Sequence, residues 1–235
     1  MLHRSREKRF VRTCIVLLVG GEVAFVILVY TIAGVQGTIQ YPEIYISDTI
    51  KQDPGRAIGG YLIPLAAFLV VVIIGMRLNR IDPLLRRTRD VVLWYLACIA
   101  LLGVFLGRMG VAAVPISTNR ALHAVAAATL YISSVCMFTL LAILDECVGL
   151  DRYPNVRYTQ ISLCVLMWVF GLLFAITIDW VDQAAVVAQL VLALLFLKYN
   201  VTFYMATEFD MKSTYGPKEQ PIEYFADTPP QPYTF

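Results

Sequence analysis

Five polar side chains interrupt the long apolar stretches of this chain, and they are its best candidates for chemistry. They are Glu22, Arg108, His123, Gln189 and Lys198. A charge at the centre of a bilayer costs about 3 kcal/mol on insertion scales, so such residues are functional candidates by default. One hypothesis is a buried cluster that binds a lipid headgroup or relays a proton. Glu22 could pair with a basic group inside the bundle, and Lys198 is the one basic residue that could lie near its depth, but the sequence does not show whether the two pair. The alternative is structural: hydrogen bonds between helices, with Lys198 and Arg108 extending their charges to the membrane surface.

Known catalytic and metal-binding patterns are missing from the sequence. The chain has two histidines, His3 and His123, whereas a zinc site usually needs several His or Cys ligands. It contains no GxSxG, no HExxH and no phosphate-binding glycine loop. Its five cysteines have no CxxC spacing, which favours packing over a disulfide or a metal. We therefore predict no catalytic residue, no metal site and no cofactor.

Six apolar stretches must position these side chains. Hydrophobic residues make up 59% of the 235 residues and charged residues 15%, well below the roughly 25% of soluble domains. Each stretch has close to the ~20 residues that a helix needs to cross a bilayer. The predicted fold is all-α, a polytopic transmembrane bundle of six helices. The predicted spans are residues 14–35, 58–76, 91–114, 121–143, 161–178 and 184–206, between a basic head at 1–13 and a Pro/Tyr-containing tail at 207–235.

The distribution of basic residues predicts the orientation of the bundle. Lys and Arg concentrate in the head and in the loop after the second span, which places both termini in the cytoplasm. The loop arginines are Arg77, Arg80, Arg86, Arg87 and Arg89. Such a juxtamembrane cluster attracts anionic lipids by about 1 kcal/mol per charge near the surface. The plainer alternative is that these arginines only determine topology, and both can hold together.

Small residues predict where helices approach each other. Gly103, Gly107 and Gly110 share one face of the third span, and Ala124 to Ala128 give the fourth span a small surface. Helices in lipid associate through such close backbone contacts. The short connections predict two antiparallel hairpins, one of spans three and four and one of spans five and six.

Several short motifs resemble one known family. The first outer loop contains Tyr45-Ile46-Ser47-Asp48-Thr49, directly before the second span. His123 with Ala126 and Ala127 is similar to an H-x-x-G-A segment, and the run from Tyr199 to Phe203 is similar to Y-x-x-T-F. Together they resemble the Frag/DRAM/Sfk family of six-span proteins, the damage-regulated autophagy modulators. Gln189 departs from the pattern, because family members often carry Glu-Trp there and this chain has Gln-Leu.

The resemblance implies a six-helix bundle with cytoplasmic termini, but no single activity. Members are linked to autophagy at lysosomes, to phosphoinositide kinase recruitment and lipid organisation at the plasma membrane, and to remodelling of glycosylphosphatidylinositol lipids. We expect a non-enzymatic integral membrane protein of the lysosome, the Golgi or the plasma membrane. It would organise membrane lipids or recruit a cytoplasmic protein through its basic loop and tail; no nucleic acid is expected as a partner.

Two alternatives remain open at this point. The first is a secretory-pathway enzyme, or enzyme partner, of lipid remodelling on glycosylphosphatidylinositol-type lipids. Its outer-face polar set would be Ser47, Asp48, Arg108, His123 and Asp179. The second is a structural subunit of a larger membrane complex. The candidate site residues for lipid or polar-cluster binding are Glu22, Ser47, Asp48, Thr49, Arg108, His123, Gln189 and Lys198.

Overall fold

Helices make up the secondary structure throughout the described part of the chain. The computed structural model describes residues 2–37, 45–148, 154–177 and 182–212. Six α-helices occupy Leu2–Val35 (α1), Gly55–Ile81 (α2), Thr88–Ala113 (α3), Arg120–Val148 (α4), Pro154–Thr177 (α5) and Asp182–Lys212 (α6). Each contains a segment long and apolar enough to cross a membrane. The predicted all-α fold with six spans is therefore confirmed.

The helices extend past the predicted spans at most of their ends. α1 begins at Leu2, so the basic head continues the first helix, and α6 continues to Lys212. Hydropathy locates the apolar part of a helix, whereas the backbone hydrogen-bond ladder continues through charged residues as well. Residues 213–235 of the tail lie outside the described residues.

The first two connections between helices each contain a short 3-10 turn. A 3-10 turn at Ile46–Asp48 precedes α2, and another at Asp82–Leu84 precedes α3. The end of the bundle that carries the Ile46–Asp48 turn is called the outer end here, and the opposite end the inner end. At the start of α4, the Asn119 side chain accepts a hydrogen bond from the N–H of Leu122 at 3.0 Å. This is an N-cap, which satisfies one of the free donors of the first helical turn.

The six helices form a closed ring in sequence order. Each helix packs on its neighbours along the chain, and α1 also packs on α6. The most extensive contacts join α3 to α4 and α5 to α6, which confirms the two predicted hairpins. A ring of six helices leaves an interior that side chains must fill or that stays open, and this interior contains the site described below.

Glycine decides how closely α3 and α4 approach. A Cβ placed on Gly107 would lie 2.5 Å from the backbone N of Leu130, and one on Gly110 would lie 2.8 Å from the Cβ of Ala126. Side chains larger than hydrogen therefore cannot be accommodated at this crossing without a shift of the helices. The predicted small-residue contact between spans three and four is confirmed.

Candidate functional site

An ion pair crosses the interior of the ring. The Arg108 guanidinium on α3 donates through Nη1 to Oε1 of Glu22 on α1. The side chains are 16% and 19% exposed, so both charges are largely withdrawn from the surface. The sequence leaves open whether Glu22 pairs with Lys198, and in the structure the partner of Glu22 is Arg108. Lys198 is exposed on the outward face of α6, and helix face rather than depth decides which cation meets Glu22.

A cavity of about 190 Å³ surrounds this ion pair. Five helices, all but α5, line it together with the Ile46–Asp48 turn. Most of its walls are aliphatic or aromatic. Its polar lining residues are Glu22, Ser47, Arg108, Tyr131, His123 and Gln189. The structure thus brings together five of the sequence candidates and adds Tyr131.

His123 is held in a defined orientation at the outer end of the cavity. Its Nδ1 lies 2.7 Å from the carbonyl oxygen of Val114, the residue directly after α3. A carbonyl only accepts, so Nδ1 carries the proton and donates. The ring is 5% exposed. Among the described residues, no group of three His, Cys, Asp or Glu side chains could hold a metal ion. The contact of His123 with Val114 joins the start of α4 to the end of α3.

Gln189 connects α6 to the outer turn that covers the cavity. Its Oε1 accepts a hydrogen bond from the backbone N–H of Ile46 at 3.2 Å, across 143 residues of sequence. The side chain of Tyr131 on α4 lies beside Gln189 and within electrostatic range of Arg108 and Glu22. The sequence carries no signal for Tyr131, because tyrosine is common in membrane helices.

The remaining residues of the outer motif stabilise the turn itself. Asp48 Oδ2 accepts a hydrogen bond from the N–H of Tyr45 at 3.1 Å, and its Oδ1 lies 2.5 Å from Lys51 Nζ. The buried Thr49 hydroxyl donates to the carbonyl of Ile46 at 2.7 Å. The turn presents Ser47 to the cavity, whereas Asp48 and Thr49 do not line it.

The five arginines predicted to form one anionic-lipid patch occupy three different environments. Arg77 is buried, with Nη2 at 2.9 Å from Asp145 Oδ1 and its guanidinium 5.9 Å from the Phe203 ring centroid. Its assignment to a lipid-facing patch is therefore wrong, because α2 turns this side chain into the bundle. Arg80 is partly buried and pairs with Glu7 at 3.2 Å. Only the last three, Arg86, Arg87 and Arg89, are exposed at the inner end.

A second polar network occupies the inner half of the bundle. Tyr199 donates from its hydroxyl to the carbonyl of Phe138 at 3.0 Å. Gln160 on α5 donates to the Thr202 hydroxyl at 3.1 Å, and Thr202 donates to the Tyr199 carbonyl at 2.6 Å. The Tyr199–Phe203 motif is therefore buried polar packing between α4, α5 and α6. Gln160 and Asp145 are not among the candidates from the sequence, because both lie at the ends of apolar stretches rather than inside them.

The outer-face set expected of an enzyme is only partly assembled. Ser47, Arg108 and His123 line the same cavity. Asp48 is used by the turn, and Asp179 lies outside the described residues.

Comparison with known proteins identifies one family. The family model described as Frag1/DRAM/Sfk1/Cwh43P N-terminal domain matches residues 10–211, which contain five of the six helical spans in full and the first from residue 10 onward. Neither the curated proteins nor the solved structures provide a match.

Proposed function

Because the chain belongs to the Frag1/DRAM/Sfk1/Cwh43P family, we propose that it is a non-enzymatic integral membrane protein that holds a membrane lipid inside its helix ring and so organises lipids around it. Family membership and six membrane-length helices define the class of protein. We further propose that the protein resides in an endomembrane or in the plasma membrane.

The observation that carries this proposal is the chemical division of the cavity. Apolar residues line most of it, more than half of them from α1 and α2, whereas the ion pair of Glu22 and Arg108 and the outer turn supply polar groups. A membrane lipid has the same division, with a polar region joined to a hydrocarbon chain. Leu17, Gly21 and Leu65 line the cavity and are also exposed on the outward faces of their helices. The cavity therefore meets the surface at bilayer depth, where a lipid can enter.

The ion pair with Arg108 supports a structural or binding role for Glu22 over a catalytic one. Glu22 is engaged by Arg108, and His123 uses Nδ1 to hold the Val114 carbonyl. A general base needs a group within hydrogen-bond reach of the proton that it removes. Of the cavity's two strongest candidates for that task, Glu22 is already bound to Arg108, whereas His123 donates from Nδ1 and keeps Nε2 as an acceptor.

Filling the cavity tests the proposal directly. Ala193 lines the cavity, whereas its neighbour Leu194 is 63% exposed on the outward face of α6. We expect Ala193→Trp to abolish the lipid that co-purifies with the protein in native mass spectrometry, and Leu194→Trp to retain it. Retention of bound lipid by a correctly folded Ala193→Trp protein, or its absence from the wild type, would refute the proposal.

A second component of the proposed function is recruitment at the inner end. Arg86, Arg87 and Arg89 are exposed there, and each favours anionic lipid by about 1 kcal/mol. In nanodiscs of mixed lipid, the triple Ala variant should lose its local enrichment of phosphatidylserine. Arg56→Ala, which removes an exposed arginine at the outer end, is the matched control. Equal enrichment of phosphatidylserine around the triple variant and the wild type would show that these arginines determine topology and do not attract anionic lipid.

An enzymatic role in lipid remodelling is the second candidate. Ser47 and His123 line one cavity, which is the observation in its favour. Comparing the acyl-chain profile of glycosylphosphatidylinositol-anchored proteins between wild-type cells and cells with His123→Ala decides between the candidates. An unchanged acyl-chain profile would rule out the enzymatic role, and a changed profile at normal protein levels would support it.

A further inference from the structure

The charge balance of the cavity bears on which lipid it accepts. One cation, Arg108, and one anion, Glu22, line it, and they neutralise each other through a direct ion pair. The remaining polar lining residues, Ser47, Tyr131, Gln189 and His123, include no charged Lys, Arg, Asp or Glu side chain. The charges of Arg108 and Glu22 thus cancel within the described cavity lining. A second anion placed near Arg108 would also lie near the negative charge of Glu22.

Within the described part of the chain, Arg108 has a buried hydrogen-bond donor without a partner. Its Nε is buried and has no hydrogen-bond partner among the described residues, although Nη1 is bound to Glu22. A buried unsatisfied donor is costly, and a ligand oxygen is one way to satisfy it. The site therefore calls for an acceptor atom rather than for a further charge.

The size of the cavity limits the hydrocarbon that it holds. A cavity of about 150 Å³ accommodates a molecule such as benzene, and the present one measures about 190 Å³. It is therefore wide enough for part of one acyl chain and too small for two chains side by side. The apolar walls of the cavity include Phe25, Leu62 and Ala66.

We propose that the cavity binds a single acyl chain through an uncharged ester or amide carbonyl, which accepts a hydrogen bond from Arg108 Nε, and that Glu22 excludes phosphate-bearing lipids from this position. The inference rests on the proposed lipid-binding function and specifies its ligand class. Glu22 is then a specificity-determining residue, since like charges brought together in a poorly solvated site are strongly disfavoured.

Photo-crosslinking of the full-length protein in nanodiscs tests the ligand class. Two probes with the same diazirine-bearing chain are compared, a monoacylglycerol and a lysophosphatidic acid, and the labelled peptides are mapped by mass spectrometry. We expect the monoacylglycerol probe to label α1 and α3 around Glu22 and Arg108 at least about tenfold more than the lysophosphatidic acid probe. Equal or stronger labelling by the phosphate-bearing probe overturns the inference and leaves the lipid-binding function in place.

A variant that removes the charge of Glu22 provides a second test of the ligand class. Glu22→Gln keeps the shape of the side chain and leaves Arg108 uncompensated, so the preference should move toward the lysophosphatidic acid probe by about tenfold or more. Glu7→Gln is the matched control, because it removes the carboxylate of another ion pair, with Arg80, away from the cavity. An unchanged preference in Glu22→Gln contradicts the inference. If neither probe labels the cavity peptides of the wild type, the proposed function itself fails.

Discussion

Gln189 on α6 accepts a hydrogen bond from the backbone N–H of Ile46 at 3.2 Å. This contact joins the last helix to the turn between the first two, and so holds Ser47 against the cavity. The side chain that makes this contact is a neutral amide. An amide oxygen accepts the backbone N–H without adding a second negative charge beside Glu22.

Loss of the Gln189 side chain should loosen the outer turn. One hydrogen bond is worth about 1 kcal/mol net, so Gln189→Ala should speed hydrogen exchange of the Ile46 amide by about fivefold. The control is Gln160→Ala, which removes a buried glutamine bound to Thr202 in the inner half. Exchange at Ile46 that stays at the wild-type rate in Gln189→Ala would show that other contacts hold the turn.

The ion pair of Arg77 with Asp145 should be important for stability. Removing one partner of a buried pair leaves the other charge uncompensated and costs about 3–5 kcal/mol. We expect Asp145→Ala to lower the denaturation midpoint in detergent strongly, and the double variant Arg77→Leu with Asp145→Leu to recover much of the loss. Glu146→Ala, which breaks an exposed pair with Arg157, should change the midpoint little. Equal effects of the Asp145 and Glu146 single variants would contradict this assignment.

The crossing of α3 and α4 should tolerate no side chain at Gly107. Its Cβ would lie 2.5 Å from the Leu130 backbone N, so Gly107→Ala forces the helices apart and should cost about 1–3 kcal/mol. Gly75→Ala and Gly171→Ala place a methyl group in open space on other helices and serve as controls. Thermal denaturation of all three proteins provides the comparison, and a wild-type midpoint for Gly107→Ala would refute the close-packing argument.

The predicted cytoplasmic termini require the two short turns to lie on opposite sides of the membrane. Gln52 and Arg86 are both exposed, just after the Ile46–Asp48 turn and just after the Asp82–Leu84 turn respectively. A membrane-impermeant maleimide should label Gln52→Cys in intact cells and Arg86→Cys only after permeabilisation, if the outer end faces the extracellular space. In a protein of internal membranes the same experiment applies to sealed vesicles. The reversed labelling pattern would show that the topology is the opposite of the predicted one.

The sequence showed which residues belong to the site better than it showed which of them contact each other. Glu22, Arg108, His123 and Gln189 are recognisable because each is polar inside an apolar stretch, and the structure places all four around one cavity. Lys198 met the same criterion but lies on the outward face of α6. A residue's depth can be counted along a span, whereas its facing direction depends on how the helix is rotated against its neighbours.

The sequence by itself determined the class of protein, the six spans and the family, because length, hydropathy and short motifs are local properties of the chain. It also indicated the contact between α3 and α4, since Gly107 and Ala126 are small wherever they point. Only the tertiary structure decided that Glu22 meets Arg108, that Arg77 is buried against Asp145, and that Gln189 reaches Ile46. The physical reason is that lipid and protein interior are equally apolar, so hydrophobicity alone does not show which side of a membrane helix faces inward.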